Sequence, residues 1–293
     1  MISSGDKIIL DPCLHGAGVR RFLEHFHVRE GAPDLAGLGR ILERFACLPY
    51  ENLSKIVKLA RDFTSPHRIR LPEEVMEDHI QYRLGGTCFS LTFFLQTILQ
   101  HCGYPCYPVM AHMRNRPNTH CALIAQLGRA GYLVDPGYLL SQPMHIDPDR
   151  PRVYRSPSSG VELRFDPGDE SFHLYTFNRL EVKWRYRFHD RPVPADEFLG
   201  YWHDSFYQSG MHGLCLTRIE EGGLVYLHND YLRISTPEGV AKRRLRGDVE
   251  TTVRELFGIS PEWVEKAKAL IPENMERERH FGLIRSPMRR SAG

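Results

Sequence analysis

Leu84–Gly85–Gly86–Thr87–Cys88–Phe89–Ser90–Leu91–Thr92–Phe93–Phe94–Leu95–Gln96–Thr97–Ile98–Leu99–Gln100–His101–Cys102–Gly103 combines a turn, a helix start and a helix stop in one short stretch. The glycine pair bends the chain, and Thr87 offers an N-cap hydroxyl. Leu91, Phe94, Leu95, Ile98, Leu99 and Cys102 then recur at three- and four-residue spacing on one helix face until Gly103–Tyr104–Pro105 stops it. The spacing therefore predicts a helix opening at Cys88. A thiol at that position meets the positive end of the helix dipole and the free amides of the first turn. Both effects favour the thiolate, the form that attacks carbon. The glycines leave room for close approach to a nucleophile on a bend. The plainer use of Cys88 is as a small buried hydrophobe at a glycine turn.

Working outward, the pattern upstream is helical. Val19 to Phe26 and Leu38 to Phe45 space their apolar residues by three and four, with Gly31–Ala32–Pro33–Asp34 between them. Downstream it becomes strand-like: Tyr107 to Met113, His120 to Leu127, and Tyr132 to Asp135 after the Gly128–Arg129–Ala130–Gly131 turn. A Pro-, Ser- and Gly-rich loop at Asp147 to Gly160 precedes an alternating segment, Leu180 to Phe188. Helix signals return at Glu197 to Tyr207. A strand pair flanks Glu220 to Gly223, and helices follow at Val249 to Phe257 and Pro261 to Leu270. Helices, then strands, then a mixed unit predict an α+β architecture.

A thiol nucleophile needs a base and a group to orient that base. His120 lies on a predicted strand downstream of Cys88, and Asp135 ends the next strand before Pro136–Gly137. Each has an ordinary alternative, a structural histidine and a turn aspartate. A hairpin looped at Arg129–Ala130 would set Asp135 opposite Ile124, four residues from His120. That is about 13 Å of strand, beyond side-chain reach. Strand pattern alone leaves the third member open between sheared or bulged strands and another route.

Composition narrows the function. The 293 residues carry Lys+Arg 38 against Asp+Glu 36, a net charge of +2, which predicts no nucleic-acid partner. The densest basic cluster, Lys242 to Arg246, and the arginines from Arg277 to Arg290 read as a solvated face and a tail. No run approaches a membrane span and Met1 to Asp11 lacks a signal-peptide core, so a cytoplasmic protein without a membrane partner is expected. Seven cysteines at irregular spacing suit free thiols in a reducing compartment. His101, Cys102, Cys106 and His112 match no zinc spacing, and no metal is expected. Cys121, next to His120, should point to the other face of its strand, into the core. Phe93, Phe94, Tyr107, Tyr138 and Phe206 are core candidates that would also suit an acyl or aryl pocket.

Gly85–Gly86–Thr87–Cys88–Phe89, Pro117–Asn118–Thr119–His120 and Leu133–Val134–Asp135–Pro136–Gly137 resemble, in order and spacing, the three catalytic segments of the arylamine N-acetyltransferases. Leu48–Pro49–Tyr50–Glu51–Asn52–Leu53 is similar to an upstream signature of that family, and Glu255 to Ile259 carries a weaker likeness. The resemblance implies an N-terminal helical bundle (1–103) with the nucleophile, a central β-barrel (104–200) with His and Asp, and a C-terminal α/β lid (201–293). The core would be cysteine-protease-like. It also implies a Cys88–His120–Asp135 triad and ping-pong transfer of an acyl group from acyl-CoA, through a Cys88 thioester, to a small-molecule amine, with no bound cofactor. Gly86, Thr87, Phe89, Thr119, Gly137 and Tyr138 would line the substrate site.

The chain also departs from that pattern. Leu84 stands where the family usually has Arg, so the usual ion pair to the Glu51 position has no obvious source. Ser90 replaces a usual Glu or Gln, and Pro136–Gly137–Tyr138–Leu139 replaces Val-Gly-Phe-Gly, which implies a rebuilt pocket. That motivates an alternative: an amide synthase drawing a long acyl chain from an acyl carrier protein. A thiol hydrolase or transglutaminase-like enzyme would use the same triad, and a degenerate binding protein would not use it at all.

Overall fold

The computed structural model describes residues 9–63, 66–114, 116–155, 160–178, 181–220, 223–236 and 238–282. Five helices open the described chain: α1 (Gly16–His25), α2 (Leu35–Phe45), α3 (Leu53–Arg61), α4 (Pro72–Tyr82) and α5 (Cys88–His101). α2 starts where the Asp34 carboxylate accepts from the Gly37 amide at 2.5 Å. α4 starts on Pro72 and stops where Arg83 turns left-handed at φ 59°. α3 and α4 are additions to the sequence reading; their apolar residues are interrupted by charge, and packing defines them. Val19, Phe22, Leu38, Leu42, Phe45, Val75 and Met76 close around Leu91, Phe94, Leu95, Ile98 and Leu99 of α5.

The predicted face of α5 is only half of its packing. Phe89 and Phe93 on its other side are buried against Phe198 and Trp202, in a second core shared with the C-terminal elements. Every residue from Cys88 to Leu95 is buried, so α5 is a central helix with packing all round. Thr87 holds the N-cap position in extended backbone, but its hydroxyl makes no capping bond. Instead the Ser90 hydroxyl donates to the Thr87 carbonyl at 3.1 Å.

The strands are β1 (Tyr50–Glu51), β2 (Cys106–Met113), β3 (Arg116–Leu127), β4 (Ala130–Val134), β5 (Met144–His145), β6 (Arg152–Arg155), β7 (Gly160–Asp166), β8 (Ser171–Phe177), β9 (Val182–Phe188), β10 (Cys215–Glu220), β11 (Gly223–His228), β12 (Tyr231–Thr236) and β13 (Gly239–Arg244). Eight form one antiparallel, barrel-like sheet in the order β5-β4-β3-β2-β9-β8-β7-β6, whose two edge strands approach each other. Its interior holds Val109, Ile124, Leu133, Leu163, Leu174, Tyr186 and Phe188. The other five form a sheet in the order β1-β10-β11-β12-β13.

Helices α6 (Ala195–Asp204), α7 (Val249–Phe257) and α8 (Pro261–His280) complete the mixed α/β fold. α8 continues past the expected end at Leu270 because Asn274 and Arg277 donate to the Ile56 and Ala60 carbonyls of α3. Tyr50 and Glu51, from the span expected to form the helical bundle, add a strand to the C-terminal sheet. Arg285, Arg289 and Arg290 of the basic tail lie outside the described residues. Among the described residues no helix is long and apolar enough to cross a membrane.

Candidate active site

The bend before Cys88 is held by backbone. The Gly86 amide donates to the Pro49 carbonyl at 3.3 Å, and the Glu51 amide donates to the Gly86 carbonyl at 3.0 Å. A Cβ on Gly85 would lie 1.8 Å from the Pro49 oxygen, so only glycine fits there. Beneath the bend, Arg70 donates to the Gly85 carbonyl and to the Ser54 hydroxyl, each at 2.6 Å, and to Asp78 at 2.5 Å. Its guanidinium stands 3.6 Å from buried Glu51. Arg70 thus supplies from another element the cation that Leu84 cannot. The sequence offered no signal for it, since Arg70 lies outside every motif.

His120 and Asp135 meet. The β3–β4 loop is Gly128–Arg129, because Leu127 pairs with Ala130 and Leu123 with Val134. One further step sets Asp135 opposite Ala122, diagonal to His120 on the same face and within side-chain reach. The expected obstacle came from placing the loop one residue late. No bulge in β3–β4 is needed; the irregularity near the site lies between Ala111 and Met113 of the β2–β3 pair.

His120 Nε2 and Asp135 Oδ2 are 2.8 Å apart. Tyr186 donates its hydroxyl to the same oxygen at 2.5 Å, and the Tyr138 amide donates to Asp135 Oδ1 at 3.1 Å. With Nε2 so engaged, Nδ1 is the ring nitrogen left for the Cys88 thiol, which hydrogen-bonds His120. Gly137 fits between them: a Cβ there would lie 2.7 Å from His120 Cε1 and 2.9 Å from Cys88 Cβ. Cys88, His120 and Asp135 are 8 %, 4 % and 0 % exposed, so the charges act with little screening by water.

Several groups bias the thiol toward thiolate. A hydrogen bond with Cys121 holds Cys88 well below the ordinary thiol range, joined by the hydrogen bond and charge of His120 and the charge of Lys55, while burial opposes them. Burial also works against a charged His120, but the charge and hydrogen bond of Asp135, with Cys88, push it up to about 10. The pair therefore favours thiolate and imidazolium. Cys121 is fully buried, as expected of a core residue, and its thiol donates to Thr92 Oγ1 at 3.5 Å, one helical turn beyond Cys88. Buried Lys55 donates to the Ser205 carbonyl at 3.0 Å and hydroxyl at 2.7 Å, and burial lowers it to about 8.

A model of the N-acetyltransferase family matches residues 34–265, a span that contains all of these residues. The chain belongs to that family. Among solved structures, the N-acetyltransferase fold is shared with the arylamine N-acetyltransferases of Nocardia farcinica (22% identity, TM-score 0.73, 89% of this chain and 97% of that one) and Mycobacterium abscessus (19%, 0.73, 88% and 94%). It is shared too with the Bacillus cereus enzyme described as having a unique Cys-His-Glu catalytic triad (17%, 0.66, 83% and 98%). No curated protein matches in sequence.

In this member of the family the residues expected to line the substrate site separate by position. Gly137 and Tyr138 sit at the Cys88–His120 contact, with the Tyr138 ring edge-on to His120 at 5.2 Å, while Gly86 faces Ser90 and Arg70 and Thr87 precedes Cys88 at the N-cap. Thr119 is half-buried, and its hydroxyl turns back to the Arg116 carbonyl. Phe89 is fully buried and stacks on Trp202, so it packs the core. Cys102 and Cys106 are free thiols that burial raises to about 11 and about 12, while His112 Nδ1 accepts from the Asn118 amide.

Proposed function

We propose that this chain moves an acyl group from acyl-CoA to a small-molecule amine by a ping-pong route, with Cys88, His120 and Asp135 as its triad. The observation that carries the reading is the buried 2.8 Å His120–Asp135 contact, with Cys88 at a helix N-terminus on the far side of the imidazole. In the first half-reaction the Cys88 thiolate attacks the thioester carbonyl. The C–S bond to coenzyme A breaks, and the departing thiolate takes a proton from His120. In the second, the amine attacks the Cys88 thioester, His120 takes its proton, and Cys88 leaves as thiolate with the amide formed. Asp135 holds the ring and balances its charge. Thioester exchange is close to isoenergetic, so positioning and proton handling suffice.

The rest of the reading follows from this chemistry. Residues 1–103 act as a helical bundle carrying the nucleophile, 104–200 as the barrel carrying base and acid, and 201–293 as a lid, in a cytoplasmic enzyme. Nothing in the comparisons speaks for a carrier-protein partner, and the donor proposed is the coenzyme A thioester. Intact-mass measurement after incubation with a panel of acyl-CoA thioesters tests the proposal. An adduct of acyl mass should appear on the parent chain and not on Cys88→Ala. An unmodified parent with every donor would overturn it.

A further inference from the structure

The five-stranded sheet joins the nucleophile bend to a free edge through one row of side chains. Tyr50 on β1 is bridged to Gly86. In register, Tyr50 faces Thr217, Thr217 faces Tyr226, Tyr226 faces Arg233, and Arg233 faces Lys242 on β13. Paired residues share a sheet face, so all five lie on the face opposite Leu216, Leu227 and Leu232, which enter the core. The inner end of the row is the active site: Tyr50 has Cys88 and Tyr138 as electrostatic neighbours. Tyr226 likewise acts on Tyr138. Arg185, on β9 of the barrel-like sheet, is also an electrostatic neighbour of Tyr138, and its Nε donates to Thr176 Oγ1 at 2.6 Å.

Arg233 is unusual in this row. Its guanidinium lies over the Tyr226 ring, 5.4 Å from the centroid, and its Nε is buried without a hydrogen-bond partner. Among the described residues it has no carboxylate partner, whereas Arg244 on the same face is paired with Asp230, and Lys242 feels Glu181. A half-buried guanidinium fixed on an aromatic ring with open donors suits a planar or tetrahedral oxyanion. Three strand spacings separate Tyr50 from Arg233, about 14 Å. A pantetheine arm, which contains two peptide-like amides, spans about 15 Å from thioester sulfur to phosphate, the reach of four to five extended residues. A carboxylate on a single aromatic ring would sit far closer to its amine.

We infer that Arg233, with Lys242 beyond it, forms the subsite for the phosphates of the acyl-CoA donor, the pantetheine arm running along the Tyr50–Thr217–Tyr226 row to Cys88. This rests on the transferase reading above. It gives Lys242, one residue of the edge cluster that reads as a solvated face in the sequence, a specific role.

The test compares acetyl-CoA with S-acetylpantetheine, which keeps the arm and lacks the phosphates, in single-turnover acylation of Cys88. Arg233→Met, which keeps the aliphatic stem over Tyr226, should reduce the preference for acetyl-CoA about tenfold through KM alone, the value of one charge-assisted hydrogen bond. Arg233→Lys should recover part of it. An unchanged preference, or an equal loss with both donors, overturns the subsite. Calorimetry with desulfo-coenzyme A, which binds and cannot react, separates the two claims. Binding that weakens in Arg233→Met while no acyl-enzyme forms from either donor would refute the transferase and keep the subsite. Acylation with unaltered desulfo-coenzyme A binding in Arg233→Met would do the reverse. Acetyl-phosphopantetheine, the group a carrier protein presents, distinguishes the source. Full preference with this single phosphate would overturn the assignment to coenzyme A.

Discussion

Asp135→Asn changes one oxygen to NH2 at a position where every neighbour is a donor. His120 and Tyr186 give hydrogen bonds to Oδ2, and the Tyr138 amide gives one to Oδ1. An asparagine has one acceptor, so whichever way it turns, one side meets N–H with N–H. If its NH2 faces Tyr138, a buried amide is orphaned at a cost of about 1–3 kcal/mol. If it faces His120, Nε2 must become the acceptor, and the proton moves to Nδ1, the atom that should receive one from Cys88. Either way the carboxylate charge that pushes His120 up to about 10 is gone.

With a neutral imidazole the thiol drifts toward its ordinary value near 8.5, where about one in thirty is ionised at pH 7. Iodoacetamide alkylation of Cys88, followed by intact mass, should therefore slow about 30-fold at pH 7. Acyl transfer, which also needs the right tautomer, should fall about 10³–10⁴-fold. The parent profile should be nearly flat around neutral pH, between the lowered thiol and the raised imidazole, while the variant climbs with pH. The same pair governs stability. The raised histidine loses its stabilising contribution as pH rises from its unfolded value near 6.5 through about 10, the lowered thiol gains one up to its unfolded value near 8.5, and the net loss therefore falls between about 8.5 and about 10. The parent should lose stability across that window, and the variant should lose less. Superimposable alkylation profiles for parent and variant would refute the reasoning.

Other substitutions probe neighbouring contacts. Gly137→Ala would push a methyl against His120 Cε1 and Cys88 Cβ; acyl-enzyme formation should fall about 10²-fold with about 1–3 kcal/mol lost to denaturant. Arg70→Leu leaves Glu51 buried beside no cation and the Gly85 carbonyl without its donor; about 3–5 kcal/mol should be lost in chemical denaturation, with Arg70→Lys in between. Cys121→Ala removes the thiol hydrogen-bonded to Cys88; the alkylation inflection should move up in pH while the unfolding midpoint changes by less than for Arg70→Leu.

The positions of Cys88 and His120, the proposed nucleophile and base, were legible because each sits beside a strong local signal: a glycine bend opening a helix for Cys88, and the start of an apolar strand for His120. Asp135 was legible as a residue but not as a partner. A loop one residue earlier shifts the pairing by two, from Ile124 to Ala122, and sequence pattern does not resolve that difference. Arg70 was hidden because its role depends on where α4 brings its N-terminal approach, a tertiary fact without local periodicity. The short β1 strand was invisible for the same reason: two residues carry no alternation, and their partners lie beyond the barrel-like sheet in sequence. α5 was read with one buried face because periodicity reports the strongest side, whereas Phe89 and Phe93 pack a second core.

The β1–β10 pairing has a consequence for how the enzyme is made. The turn that presents Cys88 is held through Glu51, and Asn52 beside it donates to the Gly210 and Gly213 carbonyls and accepts from the Cys215 amide. These partners leave the ribosome long after Cys88 does, about 6 to 25 seconds later at about 5–20 residues per second. Through that interval the turn lacks the brace that Asn52 makes with the C-terminal segment, so a nascent or prematurely ended chain carries Cys88 without its full support. Reactivity at Cys88 is in this sense a readout of whether synthesis has finished.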